Sequence, residues 1–393
     1  MTERLSDVFA RNQRRALLVA AVGTVATAIG ALIDQQQFLH SWLHAFLFWL
    51  AFPLGSLALV QLHHLTGGAW GMPIRRLLEG ATRTVPIMAI LFVPIALRLP
   101  VLYEWARPDA VAADPVLLHK QPYLNEPFFL ARAALYFAVW IGVAAVQERL
   151  ARRQDMLGGA SLAHRMRKVA GPGIGLYALA TTFASFDWAM SLEPHWFSTL
   201  YGVVFIIGQG VATLAFAVVA AHWLARREPF ARWVGPGHFH DLGKLLFAFV
   251  LLWAYVNFSQ FLIVWSGNLA EETPWYLART RGGWGVVAVF LIAFHFVLPF
   301  AVLLSRAAKR HPRTLVTVAF MLIAMRWVDL WWWIAPAFSP GRLHVSWMDL
   351  AATASIGGLW FAYFVQQMKG RPLISLQDAH LEHALEAHGK AAP

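Results

Sequence analysis

The stretch TLYGVVFIIGQGVATLAFAVVAAHWL, residues 199–224, contains no Asp, Glu, Lys or Arg. About 20 apolar residues are enough for a helix to cross the hydrocarbon core of a bilayer, so this stretch predicts a transmembrane span. Nine similar stretches accompany it, at residues 16–33, 42–62, 84–102, 128–147, 172–191, 242–265, 284–304, 314–338 and 347–367. The sequence therefore predicts an all-α, polytopic integral membrane protein with ten transmembrane helices in one membrane domain, residues 1–393.

The composition excludes a soluble fold. Hydrophobic residues make up 59% of the chain and charged residues 13%, against about 25% charged residues in soluble domains. The net charge of +11 lies in short loops, which indicates anionic lipid headgroups as partners and no nucleic acid. The basic residues before the first span resemble the start of a signal peptide, but the apolar run that follows is too long for one. We expect a retained membrane anchor.

Basic residues alternate between the two sides of the predicted membrane. The N-terminus, the even-numbered connections and the C-terminal tail hold 24 of the 32 Lys and Arg residues, and the odd-numbered connections hold five. Lys and Arg concentrate in cytoplasmic loops. The sequence predicts a multi-pass membrane protein with both termini in the cytoplasm and the odd-numbered connections facing the periplasm or the cell exterior.

The chain has no cysteine. Disulfides, iron–sulfur ligation, thiolate zinc sites and covalent haem attachment through C-x-x-C-H are therefore excluded within it. If the protein takes part in electron transfer, the redox centres belong to other subunits or to a diffusible quinone.

Two short strings suggest an internal repeat. PFFLAR at 127–132 and PWYLAR at 274–279 share a pattern, and Asp187 and Asp329 each precede a proline by seven residues. The repeat predicts two four-helix bundles in the same orientation, at 42–191 and 199–338, as in some transporters. Chance similarity of short strings is the alternative. The remaining parts would be peripheral helices at 16–33 and 347–367 and a cytoplasmic tail at 368–393.

Ionisable residues inside the spans are the first candidates for function, because each costs at least about 2.5–3.5 kcal/mol at mid-bilayer. Arg326 and Asp329 lie three residues apart on one face of the ninth span. His295 lies near the centre of the eighth span, four residues before Pro299. These residues form either a structural lock between helices or part of a proton path.

The string SFDWAMSLEPHWFST, residues 185–199, joins the fifth and sixth spans. It is expected to place Asp187, Glu193 and His195 at the outer surface without a basic side chain nearby, where they could pass protons. An interfacial aromatic belt with incidental polar groups is the alternative. Three further positions could extend a proton route: Glu271 and Glu272 as an outer exit, and Asp241, with His238 and His240, as an inner entrance or an ordinary helix start.

The same region carries a resemblance to a known family. FDWAMSLEPHWFST at 186–199, followed by SQFLIVW at 259–265 and EETPWY at 271–276, resembles the ActF subunit of alternative complex III, a bacterial quinol:cytochrome c oxidoreductase. The order of the strings and the ten spans fit across nearly the whole chain. The resemblance implies a fold like that of the polysulfide reductase membrane subunits, with two four-helix bundles plus two extra helices.

The resemblance also implies partners. They are a sister membrane subunit that oxidises quinol, an iron–sulfur protein and a multihaem cytochrome c. An ActF-type chain packs against the sister subunit and is proposed to conduct protons in the respiratory chain. It would have no catalytic residue, metal site or covalently bound cofactor of its own, and any quinone or quinol would belong to the complex. Two alternatives stay open: a quinol-binding membrane anchor for an external iron–sulfur protein, and a secondary transporter.

Overall fold

The computed structural model describes residues 5–228 and 230–374. Within these residues it is helical and has no strand, and ten helical segments are long and apolar enough to cross a membrane. The predicted fold class is therefore confirmed. Residues 375–393, most of the predicted cytoplasmic tail, lie outside the described residues.

The ten spans keep the predicted order, and several helices are longer than the apolar stretches that identified them. The third and eighth spans are each divided into shorter helical pieces. The helices of the spans are Leu5–Ile33, Gln35–Thr66, Arg75–Thr82 with Val85–Leu91 and Val93–Ala96, Glu126–Leu157, Ala160–Trp188, Tyr201–Leu224, Pro236–Gly267, Trp284–Leu291 with Ile292–Val297 and Leu298–Leu304, Pro312–Ile334, and Trp347–Met368.

Short helices fill the connections. The long connection after the third span contains Leu99–Leu102, Pro108–Ala113 and Pro115–Lys120, and another short helix, Thr273–Thr280, precedes the eighth span. The pieces Phe230–Trp233 and Arg306–Arg310 lie in connections on the opposite side. Single 3₁₀ turns occur at Ala69–Gly71, Glu104–Ala106, Met190–Leu192 and Ala335–Ala337.

The third span begins earlier than predicted. Hydropathy places it at 84–102, but the structure starts it with the helix Arg75–Thr82, all of whose residues are buried. Arg75 and Arg76 both bind Glu79, at 2.8 and 2.6 Å, and Arg76 also binds Asp155 of the fourth span. The charged residues that lower the hydropathy of this helix are therefore paired. The apolar segment 97–102 instead leads into the connection.

Eight spans pack as two closed rings of four. Spans two to five each contact the next, and the fifth returns to the second; spans six to nine do the same. The second and sixth spans cross where the rings meet. Gly55 permits this crossing, because a Cβ there would lie 2.6 Å from the carbonyl oxygen of Gln209, and the Thr213 hydroxyl donates to the carbonyl of Ala51 at 3.1 Å.

The first and tenth spans pack against each other outside the rings, and both contact the second span. Small residues let these two backbones approach closely. A Cβ on Gly23 would lie 2.4 Å from the backbone nitrogen of Ser355, and a Cβ on Gly358 would lie 2.5 Å from that of Ala20. The two peripheral helices predicted from the sequence thus form one pair on the same side of the molecule.

Candidate functional site

A buried polar cluster lies inside the second ring. Arg326 and Asp329 of the ninth span form an ion pair in which both side chains are almost completely excluded from solvent. The indole nitrogen of Trp253, on the seventh span, donates to Asp329 Oδ2 at 3.1 Å. The carboxylate therefore has partners from two helices, and the predicted closeness of Arg326 and Asp329 is confirmed.

The position of Arg326 depends on a glycine of the sixth span. A Cβ on Gly208 would lie 2.3 Å from the guanidinium carbon of Arg326. The arginine therefore fills the space that a larger residue would take. This contact places the cation at the interface of the sixth and ninth spans.

His295 joins the cluster through a ring contact. Its imidazole packs on the Trp253 ring with centroids 4.0 Å apart. The backbone of His295 lies in a π-helical turn, Ile292–Val297. Pro299 has no N–H that could bond the carbonyl of residue 295, and this accounts for the local change from α-helical to π-helical winding. Neither ring nitrogen has a hydrogen-bond partner among the described residues. A buried imidazole with two free nitrogens can bind water or exchange a proton.

A second polar group lies next to this cluster, between the second span and the start of the tenth. His44 Nε2 donates to the carbonyl of Trp327, the residue after Arg326, at 3.0 Å. The Ser41 hydroxyl donates to Asp349 at 2.6 Å, and His40 stacks on Phe338 with centroids 3.5 Å apart.

A small cavity lies among these residues. Its volume is about 20 Å³, and His40, His44, Asp349 and the exposed His344 are among its lining residues. About 10–15 Å³ is enough for one water when polar partners are present. The Nδ1 atom of His44 has no partner among the described residues. The cavity could hold one water molecule. This water would lie between the exposed His344 and His44, which contacts the residue after Arg326.

This second polar group is not predicted by the sequence. His40, His44 and Asp349 lie at the ends of the second and tenth spans, more than 300 residues apart for His44 and Asp349. Histidines near a helix end give no distinct signal in one sequence. Only the packing of the tenth span on the second brings the three residues together.

The prediction that Asp187 lies at the outer surface without a basic side chain nearby is wrong. Asp187 is fully buried, and Arg132 binds both of its carboxylate oxygens, at 2.8 and 3.0 Å. The Tyr136 hydroxyl donates to the same carboxylate at 2.7 Å. Arg132 also covers the Tyr123 ring at 3.8 Å, and burial raises the pKa of the Tyr123 phenol to about 12. Asp187 is thus a partnered anion in the first ring.

Glu193 also has a basic partner, contrary to expectation. Arg279, buried on the helix Thr273–Thr280, donates to its two oxygens at 3.2 and 2.5 Å. The same guanidinium donates to the carbonyl of Trp333 at 2.7 Å and lies 3.6 Å from the centre of the Trp275 ring. The repeat counterparts Arg132 and Arg279 therefore both hold carboxylates from the string at 185–199.

His195 lies at the surface as predicted, but with a partner. Its Nε2 is 2.6 Å from Asp114 Oδ2, and its side chain is half exposed. The backbone N–H of Val116 and the imidazole of His195 lower the pKa of Asp114. The aromatic belt offered as the alternative for this string is also wrong for Trp188 and Trp196, which are buried in the protein.

The remaining candidates lie apart from the buried cluster. Asp241 pairs with Lys244 at 2.7 Å in the first turns of the helix Pro236–Gly267. His238 Nδ1 accepts the backbone N–H of Gly235, which supports the interpretation of a helix start. His240 is half-buried nearby, Glu271 is exposed, and Glu272 immediately precedes the helix Thr273–Thr280.

No group of three or more His, Asp or Glu side chains with the geometry of a metal site occurs within residues 5–228 and 230–374. No protein-family model and no curated protein matches the chain. What fold and site define together is a multi-pass integral membrane protein with a buried Arg–Asp pair and a nearby polar cavity.

Proposed function

We propose that this chain is a non-catalytic membrane subunit of a bacterial quinol:cytochrome c oxidoreductase of the alternative complex III type, located in the inner membrane. Its role is to support the complex and to conduct protons. The observation that carries the proton route is the buried Arg326–Asp329 pair with His295 beside it. The resemblance of the strings at 186–199, 259–265 and 271–276 to ActF supports the choice of complex.

The route uses the two polar groups in sequence. Asp329 accepts a proton when Arg326 moves away from it, because an uncompensated buried carboxylate binds a proton readily. His295 and the cavity beside His44 and Asp349 lie next to this pair and can pass the proton onward. Arg132–Asp187 and Arg279–Glu193 are ion pairs that hold helices and connections together.

A quinol-binding role fits the cavity poorly. Pockets for small organic ligands measure roughly 300–1,000 Å³, and the polar cavity measures about 20 Å³. A quinone ring does not fit into it. The resemblance to ActF assigns quinol oxidation to a sister subunit and the redox centres to an iron–sulfur protein and a multihaem cytochrome.

The first test is isolation of the chain, tagged and gently solubilised, from its native membrane. Copurification with a sister membrane subunit, an iron–sulfur protein and a multihaem cytochrome, together with quinol:cytochrome c activity, is expected. Genes for those proteins next to the gene of this chain would support the same assignment. Isolation as a lone chain or a homo-oligomer would overturn the complex and favour a secondary transporter.

The second test concerns protons. The double variant Arg326→Met with Asp329→Leu removes both charges, so no buried ion is left alone. In vesicles it should oxidise quinol normally under uncoupled conditions and release fewer protons per electron than the wild type. Glu228→Gln, in an exposed pair with Arg232, is the control. An unchanged proton ratio in the assembled double variant would eliminate the route and leave a scaffold.

A further inference from the structure

A groove between the fourth and fifth spans combines positive charge with an apolar wall. Its volume is about 480 Å³. The two helices are antiparallel and are joined by the tight turn at Gly158 and Gly159. Four cations and three apolar residues line the groove: Arg149, Arg153, Arg165, Lys168, Val146, Leu150 and Val169.

The groove lies at the edge of the predicted membrane. The helix Glu126–Leu157 continues ten residues past the apolar stretch that ends at 147. At about 1.5 Å per residue, Arg149 and Arg153 lie roughly 3–9 Å beyond that edge. On the facing helix, Arg165 and Lys168 occupy the turns before the apolar stretch that begins at 172. The cations thus lie at headgroup depth, and Val146 and Val169 lie next to the hydrocarbon.

Nearby acidic residues do not neutralise the groove. Glu148 is bound by Arg83, Arg152 and Arg371, and Asp155 is bound by Arg76. The four lining cations are exposed, and none of them forms an ion pair with another residue in the described part of the chain. The acids are therefore partly buried and paired, whereas the four cations are exposed.

We propose that this groove is a binding site for an anionic phospholipid. The four cations bind the phosphate and its negative charge, and the acyl chains lie along Val146, Leu150 and Val169. Basic pockets between transmembrane helices are suited to such headgroups. A lipid fits better than a soluble anion because the apolar residues continue from the charged rim toward the membrane interior.

The test uses the purified full chain in neutral detergent. Native mass spectrometry measures binding of dioleoylphosphatidylglycerol and, separately, of dioleoylphosphatidylcholine. The wild type should prefer phosphatidylglycerol. In the variant R149Q/R153Q/R165Q/K168Q the apparent affinity for phosphatidylglycerol should fall roughly tenfold or more, with binding of phosphatidylcholine unchanged.

A matched control removes the same amount of charge elsewhere. R226Q/R306Q/R310Q/R313Q changes four exposed basic residues on other connections and should keep the wild-type affinity. Equal losses in both variants would show general surface attraction and overturn the site, as would no loss in either. The paired variants R149Q/R153Q and R165Q/K168Q, each expected to lose part of the affinity, replace the fourfold variant if it fails to fold. Displacement of the lipid by an equal concentration of inorganic phosphate would identify a soluble anion instead.

Discussion

Arg132 and Arg279 end two similar strings and do similar work. Each arginine binds a carboxylate of the string at residues 185–199. Arg132 binds Asp187, and Arg279 binds Glu193. The repeat pairs Asp187 with Asp329, but their cations come from different places. Asp187 takes its arginine from the fourth span, whereas Asp329 takes Arg326 from its own helix.

Asp187→Asn should destabilise the protein. The substitution leaves the Arg132 guanidinium, which is almost buried, without its anion, and breaking such a pair costs about 3–5 kcal/mol. The thermal unfolding midpoint in detergent should fall clearly. Asp114→Asn, which changes the half-buried partner of the exposed His195, should lower the midpoint far less. A wild-type midpoint for Asp187→Asn would contradict a structural role for the pair.

Asp329→Asn should also lower the unfolding midpoint, since Arg326 is packed against Gly208 and is almost completely excluded from solvent. A loss of about 3–5 kcal/mol is expected. The double variant Arg326→Met with Asp329→Leu should recover most of this loss, because neither charge remains buried. If the double variant is as unstable as the single one, the polar contacts themselves, including that of Trp253, hold the ninth span.

At the scale of helices, the apolar stretches predicted the number and order of the spans because bilayer thickness sets a minimum length. They did not predict the buried helix Arg75–Thr82, because its Arg and Glu side chains are polar in any hydropathy scale. Pairing across helices was also beyond the sequence. No sequence feature near Asp187 indicates that it pairs with Arg132, which lies 55 residues earlier. The sequence therefore predicts an unpaired carboxylate.

The contact of the first and tenth spans can be tested through its glycines. Gly358→Val would place side-chain atoms where the backbone of Ala20 lies, so the helices must separate. We expect a fall of several degrees in the unfolding midpoint. Gly142→Val is the control, because Gly142 faces open space on the fourth span. Equal behaviour of the two variants would mean that the helix pair does not depend on close backbone approach.

For the whole molecule, packing and orientation have separate origins. Helices pack in the same way whichever side faces the cytoplasm, so the two rings carry no information about sidedness. The orientation of the chain in the membrane depends on the distribution of Lys and Arg among the loops. It is set during insertion, before the helices assemble. The 24 basic residues on one side against five on the other are therefore the reason why we expect both termini in the cytoplasm.

Topology reporters test this directly. Fluorescent protein fused to the C-terminus or inserted after Arg310 should fold and fluoresce, since it does so in the cytoplasm. Alkaline phosphatase inserted near Asp114 should be active, because it needs the oxidising exterior. An insertion at the Gly158–Gly159 turn should again read cytoplasmic, on the side of the proposed lipid groove. An active phosphatase at the C-terminus would show that the chain has the opposite orientation. The cavity beside His44 would then open toward the cytoplasm and serve as a proton inlet.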